Sequence, residues 1–214
     1  MITIGNESQK VRLEQIIRND IIKPLQTITG PLSENLVEFL ILNCKLLIVS
    51  KDQYLEESTS YEDGKLFYMY KGIARSLYYD PLNHKPVISR IWTKHDIIFD
   101  VNSFQNKADR LDSIRMLEDG ELLCISYQRL NNFFEQFPKM VPCLLWLQAE
   151  REKHAQFYQH LLKLNVEERV RRYLNHYPGI ISRISHDNIA LHLGMNRSRL
   201  SLAYKNYKQE VEGS

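Results

Sequence analysis

The sequence predicts an α+β protein: an antiparallel β-roll or sandwich behind a few small helices, then a long helix, then a C-terminal helix-turn-helix. Three observations carry this reading. Between residues 46 and 125 the chain runs in short apolar or alternating segments separated by turn residues, as strands do. Between 141 and 164 apolar residues return every three or four positions, which is helical spacing. Near the end, Ile189-Ala190-x-x-Leu193-Gly194-x-x-Arg197-x-x-Leu200 places a small residue, a glycine and leucines where two crossed helices need them.

Taken in order, residues 16–25 mix apolar and charged side chains, and Pro31 followed by Leu32, Leu36 and Leu40 has a helical return; both read as small helices. Strands are expected at 46–49, 66–70, 74–79, 87–91 and 122–125. The turns between them fall at Asp63-Gly64, at residues 80–86 with Pro81 and Asn83, and at Asp119-Gly120. Glycine there is expected to relieve positive-φ sterics and proline to pre-set one dihedral. Spacers this short favour antiparallel pairing, since parallel strands need a crossover of a dozen or more residues.

Ser126 is placed to cap a helix that Pro138 interrupts. The long segment then carries Leu144, Leu147, Arg151, Ala155, Tyr158 and Leu162 on one mixed stripe. Such a stripe suits a helix packed against both its own domain and a second copy, and a purely intramolecular helix remains the alternative. Asn165 can cap the next helix, with Glu168 three residues on to return the hydrogen bond. Ser185 and Asn196 are caps for the two helices of the final hairpin. Gly194 ends the first of them, and Ile189, Ala190, Leu193, Leu200 and Ala203 face inward. The expected division is 1–140 for the roll with its flanking helices, 141–164 for the long helix and 165–214 for the helix-turn-helix.

Composition excludes more than it assigns. The chain has 214 residues, 43% hydrophobic and 25% charged, with a formal net charge of +2, ordinary values for a globular protein. No apolar stretch approaches the ~18 residues of a membrane helix. Glu7, Lys10, Arg12 and Glu14 stand where a secretory segment would need an apolar core, so a cytoplasmic protein is expected. Cys44, Cys124 and Cys143 are odd in number and far apart, which favours buried thiols over disulfides or a metal cluster. The seven histidines form no HExxH or compact ligand set. No glycine-rich nucleotide loop, nucleophile elbow or organised acid–base pair is present, so neither an enzyme nor a cofactor is expected. The charge is unevenly spread: residues 163–214 hold nine basic side chains against five acidic ones.

The hairpin carries the chemistry. Ala190 permits close helix approach, Gly194 can take a turn conformation that a Cβ opposes, and Leu193 and Leu200 close the shared core. The second helix then opens on Arg197, Ser198 and Arg199, side chains suited to phosphates and base edges. The residues expected at a duplex DNA surface are Asn196, Arg197, Ser198, Arg199, Ser201 and Lys205. A bare structural hairpin with solvated arginines is the alternative.

These residues, together with KLFYMYKGIARSLYYD and ISRIWTKHDIIFD in the roll, ELLCISYQRLNNFF entering the helices and HDNIALHLGMNRSRLS in the hairpin, resemble the Crp/Fnr-type transcription regulators from about Leu32 to Lys208. The resemblance implies a jelly-roll domain like those that bind cyclic nucleotides, a dimerisation helix and a winged helix-turn-helix. It implies a homodimeric, sequence-specific DNA-binding regulator whose partners are duplex DNA, a second copy and RNA polymerase, with no membrane partner. A protein-interaction module that has lost DNA recognition is the alternative. Two departures stand out. Ser198 replaces the family's glutamate and Leu202 takes the place of its later arginine, so the usual operator is not expected. In the phosphate-binding region Phe99 replaces glycine, Asp100 shortens a glutamate and Leu111 replaces a serine, while Arg110 retains its charge. Asp100 and Arg110 are thus the candidate effector residues for an unidentified small molecule, and cyclic AMP is disfavoured.

Overall fold

The computed structural model of the chain describes residues 7–57, 60–82 and 84–212, with side chains as far as 210. Asn83, expected in the turn after Asp80, lies outside them. In chain order the helices α1 (Glu7–Ile16), α2 (Lys23–Thr29) and α3 (Glu34–Asn43) precede β1 (Lys45–Val49), β2 (Tyr54–Glu56), β3 (Lys65–Lys71), β4 (Ala74–Asp80), β5 (Lys85–Trp92) and β6 (Ile97–Ile98). Then come α4 (Val101–Asn106), β7 (Ser113–Met116), β8 (Gly120–Ser126), α5 (Tyr127–Gln136) and α6 (Pro142–Lys163). The chain ends in α7 (Val166–His176), α8 (Ile180–Arg183), α9 (His186–His192) and α10 (Arg197–Glu212). The α+β architecture with antiparallel sheets is the expected one. Backbone contacts group the chain into two compact units, Met1–Ala74 with Trp92–Trp146, and Arg75–Ile91 with Leu147–Ser214.

In the first unit α1 and α2 are joined by a π-helical stretch, Ile17–Ile22, so the small helix expected at 16–25 belongs to a longer helical run. The helix expected from Pro31 starts later, at Glu34. One sheet has the order β1-β8-β3-β6, with Leu47 opposite Leu122 and Phe67 opposite Cys124. β2 pairs with β7 across an irregularity between Tyr54 and Glu56. The short strands β2, β6 and β7 and helix α4 were not expected from the sequence. The roll's interior is filled by Phe67, Met69, Trp92, Ile114, Met116 and Leu122, all buried. Two side chains of α5 make ring contacts with the rest of the unit: Tyr127 meets Phe104 edge to face with centroids 5.2 Å apart, and Phe133 meets Phe39 in a tilted contact at 5.6 Å. The reason for Gly64 differs from the expected one. Its φ is −63°, ordinary for any residue, but a Cβ there would fall 2.3 Å from the Tyr127 ring. Cys124 and Cys143 are buried and Cys44 half-buried, all three as free thiols.

The second unit combines β4 and β5, neighbours in hydrogen-bonded order, with most of α6 and all of α7–α10. Its core is Leu161, Val170, Tyr173, Leu174, Ile180, Ile189, Leu193, Leu200 and Ala203. The described residues from 165 onward contribute no strand, so the wing implied by the resemblance is not formed among them; the turn at Pro178-Gly179 and the single turn α8 follow α7 instead. Asn165 caps α7 as expected, its Oδ1 accepting from the Glu168 amide at 2.9 Å. The returning bond of a capping box is replaced. Glu168 turns forward to Arg171 and Arg172 at 2.8 and 2.7 Å, and these hydrogen bonds, Arg172 first, lower its carboxyl pKa. Two cations one turn along outcompete a single backbone amide for one carboxylate.

Candidate nucleic-acid interface

The helix-turn-helix is built from local signals that the structure uses as the sequence suggests. Ser185 caps α9 by accepting from the Asn188 amide at 3.3 Å, and Asn196 caps α10 by accepting from the Arg199 amide at 2.9 Å. Between the helices Gly194 has φ +64°, and the Met195 amide closes the turn on the Ala190 carbonyl at 2.9 Å. A Cβ on Gly194 would meet only Leu162 Cδ2 at 3.5 Å, an ordinary contact. The left-handed conformation therefore demands the glycine, not lack of space. Ala190, Leu193, Leu200 and Ala203 are buried between the helices.

The turn is also held from outside the motif. Arg169 on α7 donates Nη1 to the Leu193 carbonyl and Nη2 to the Leu162 and Leu164 carbonyls, each at 2.8 Å. One guanidinium thus ties the end of α6 to the helix-turn-helix turn, where helix carbonyls lack internal partners. α10 is further fixed to α7 through Arg171 and Glu210 at 2.6 Å and Tyr207 and Asn175 at 3.0 Å.

α9 is buttressed by the β4–β5 pair. His192 is 2% exposed, its ring stacked on Tyr158 with centroids 4.7 Å apart and its Nδ1 2.9 Å from the Ile88 carbonyl. That contact requires the proton on Nδ1. Burial, opposed by the Ile88 hydrogen bond, pushes the imidazole down to about 4, so the ring is neutral at physiological pH. Tyr158 donates to the His192 carbonyl at 2.6 Å, and Arg75 of β4 donates to Asn188 Oδ1 at 2.6 Å. Sequence reading missed Arg169, His192, Tyr158 and Arg75 as determinants of this motif. Each reaches it from a distant part of the chain, and no local pattern signals that.

All six expected DNA-contact residues, Asn196, Arg197, Ser198, Arg199, Ser201 and Lys205, are exposed and lie together at the start and outer side of α10. Arg197 is 3.3 Å from Asp187 of α9, an exposed pair of the kind that contributes little to stability. Lys208 sits over the Tyr204 ring at 5.0 Å. Of the nine basic residues from 163 onward, Arg169 faces inward and Arg171 and Arg172 are engaged by Glu168 and Glu210. Arg197, Arg199, Lys205 and Lys208 give α10 its outward positive charge.

The two candidate effector residues are engaged within the protein. Asp100 caps α4, its Oδ1 accepting from the Asn102 and Ser103 amides at 3.1 and 3.2 Å. Arg110 is 5% exposed and bonds Glu56 at 2.9 Å and Asp112 at 2.7 Å. Burial pushes the Glu56 carboxyl up despite Arg110, while the two carboxylates overcome burial and hold Arg110 protonated. A surface groove among Arg12, Gln15, Asn19, Asp20 and Tyr70 includes neither residue. Among the described residues no cluster of His, Cys, Asp and Glu is arranged to hold a metal ion. None of their helices is long and apolar enough to cross a membrane.

Solved structures share this fold. FixK2 from Bradyrhizobium japonicum is 15% identical, with a TM-score of 0.66 over 79% of this chain and 86% of its own. The c-di-GMP-responsive global regulator CLP of Xanthomonas campestris is 16% identical, with a TM-score of 0.63 over 83% and 93%. A protein from Eubacterium rectale described as a transcriptional regulator of the Crp/Fnr family is 15% identical, with a TM-score of 0.64 over 84% and 85%. No family model matches the chain, and no curated protein matches it. The chain has the Crp/Fnr-type fold.

Proposed function

We propose that this protein is a homodimeric, sequence-specific DNA-binding transcription regulator. The observation that carries the proposal is the outer side of α10, where Arg197, Ser198, Arg199, Ser201 and Lys205 stand exposed on a helix whose opposite side is locked into a helix-turn-helix core. A basic, polar helix of this size fits the major groove, with arginine and lysine neutralising phosphates and short polar side chains reaching base edges. The shared fold of known regulators supports the same reading.

Dimerisation through residues 141–164 is supported by the exposure of α6. Leu145 is 71% exposed, Trp146 and Leu162 more than a third, and residues 148–153 are all exposed in the single chain. A second copy of α6 packed on part of this exposed surface would present two recognition helices, giving half-sites about 34–36 Å apart or a multiple of it. An effector, if the roll takes one, needs contacts other than Asp100 and Arg110, which are already committed.

Selection from a randomised duplex library, followed by sequencing and by light scattering of the protein alone and with the selected duplex, tests the proposal. A two-fold symmetric site bound by a dimer is expected. A stable monomer at micromolar concentration in both conditions overturns the dimer. No enriched duplex, together with saturable capture of a partner protein, favours the protein-interaction alternative, for which exposed Leu202 is the supporting feature.

A further inference from the structure

We infer that Leu202 is a specificity-determining residue that reads the 5-methyl group of a thymine in each half-site. The inference rests on the DNA-binding reading and adds to it the identity of a recognised base. At about 100° of rotation per residue, the inward side of α10 runs through buried Leu200 and Ala203 and half-buried Tyr207. The ridge diametrically opposite runs through Ser198, Leu202 and Lys205. Leu202 is 61% exposed on that ridge, about 7–8 Å along the axis from Arg197, so it enters any groove that the first two turns of α10 enter. Arg197 falls instead on the flank toward α9, beside Asp187.

The chemistry of the groove then selects the base. Base edges in the major groove display hydrogen-bonding groups and one apolar group, the thymine methyl. A leucine tip pressed on a carbonyl or amino edge would strip it of water and return no hydrogen bond. Pressed on a methyl, it removes apolar area from water on both sides. The charge around Leu202, from Arg199 and Lys205 within one turn and Lys208 beyond, complements a polyanion, so duplex DNA is the occupant this ridge fits.

The test uses the full-length protein and the duplex it selects. Each thymine is replaced singly by deoxyuridine, which deletes the 5-methyl and keeps every hydrogen-bonding group, and affinity is read by fluorescence anisotropy at fixed salt. One thymine per half-site is expected to show about fourfold weaker binding on losing its methyl, the scale of one buried carbon. Leu202→Ala, exposed enough to leave the fold unchanged by circular dichroism, is expected to bind the thymine and deoxyuridine duplexes equally. A selected duplex whose deoxyuridine series is flat, or a Leu202→Ala variant that keeps the full methyl effect, overturns the assignment while leaving DNA binding intact. Failure to select any duplex overturns the DNA-binding reading and this inference with it.

Discussion

Acid should loosen the second unit through His192, and the structure sets the size of the effect. The ring is 2% exposed, stacked on Tyr158, 5.6 Å from the Tyr173 ring, and bonded through Nδ1 to the Ile88 carbonyl. Burial lowers its pKa to about 4, against about 6.5 for imidazole in an unfolded chain. A depressed folded pKa means that the unfolded chain takes up the proton first. The stabilisation is complete above about pH 6.5 and is lost as pH falls through the folded value near 4. The full gap corresponds to roughly 3 kcal/mol, of which about 2 kcal/mol is already lost at pH 5. His192→Asn keeps an N–H near Ile88 but cannot titrate. Urea unfolding of both proteins, at one protein concentration, should show wild type losing about 2 kcal/mol more than the variant between pH 7.5 and 5. His154 is pushed down to about 3 by burial, with smaller contributions from Arg90, His192 and His176, so it stays neutral in the folded state at pH 5 and adds the same unfolded-state protonation to both proteins. Parallel pH profiles, or an NMR titration placing His192 near 6.5, would refute the argument.

Three further outcomes follow from the same geometry. Arg110→Met should destabilise the first unit by about 3–5 kcal/mol, because Glu56 is left buried without its cation; chemical denaturation measures it. Arg169→Met should cost roughly 2–4 kcal/mol by removing a guanidinium that serves three carbonyls, and should weaken DNA binding without changing the preferred sequence, as a repeat of the duplex selection would show. Arg197→Ala and Arg199→Ala separate two roles in binding curves taken across salt. A base contact costs about 1–3 kcal/mol in discrimination, whereas a phosphate contact lowers the salt slope by about one and leaves preference intact. The position of Arg197 on the α9 flank, beside Asp187, predicts the phosphate outcome for it.

The caps at Ser126, Asn165, Ser185 and Asn196, the turn at Gly194 and the longer strands could be read from the chain alone. So could the exposed, basic start of α10. Each depends on groups within a few residues of one another: a hydroxyl or amide reaching an amide three positions on, or an apolar repeat that places one face inward. The strands β2, β6 and β7 escaped because two to four residues carry too little pattern, and their conformation comes from the partner strand. Gly64 was located correctly but for another reason, since the ring that crowds it belongs to Tyr127.

Sequence by itself determined the order of roll, long helix and helix-turn-helix, and which residues begin α10. Tertiary structure alone decided what each charge and ring does. Arg110 meets Glu56 from 54 positions away, and His192 meets Ile88 from 104. Arg169, one basic residue among nine by composition, turns inward to hold the turn, while Leu202 stands outward among cations. Local signals depend on short covalent separations that the sequence states directly. The environment of a buried charge or a surface leucine depends on which distant segments arrive beside it, and the linear pattern does not encode that placement.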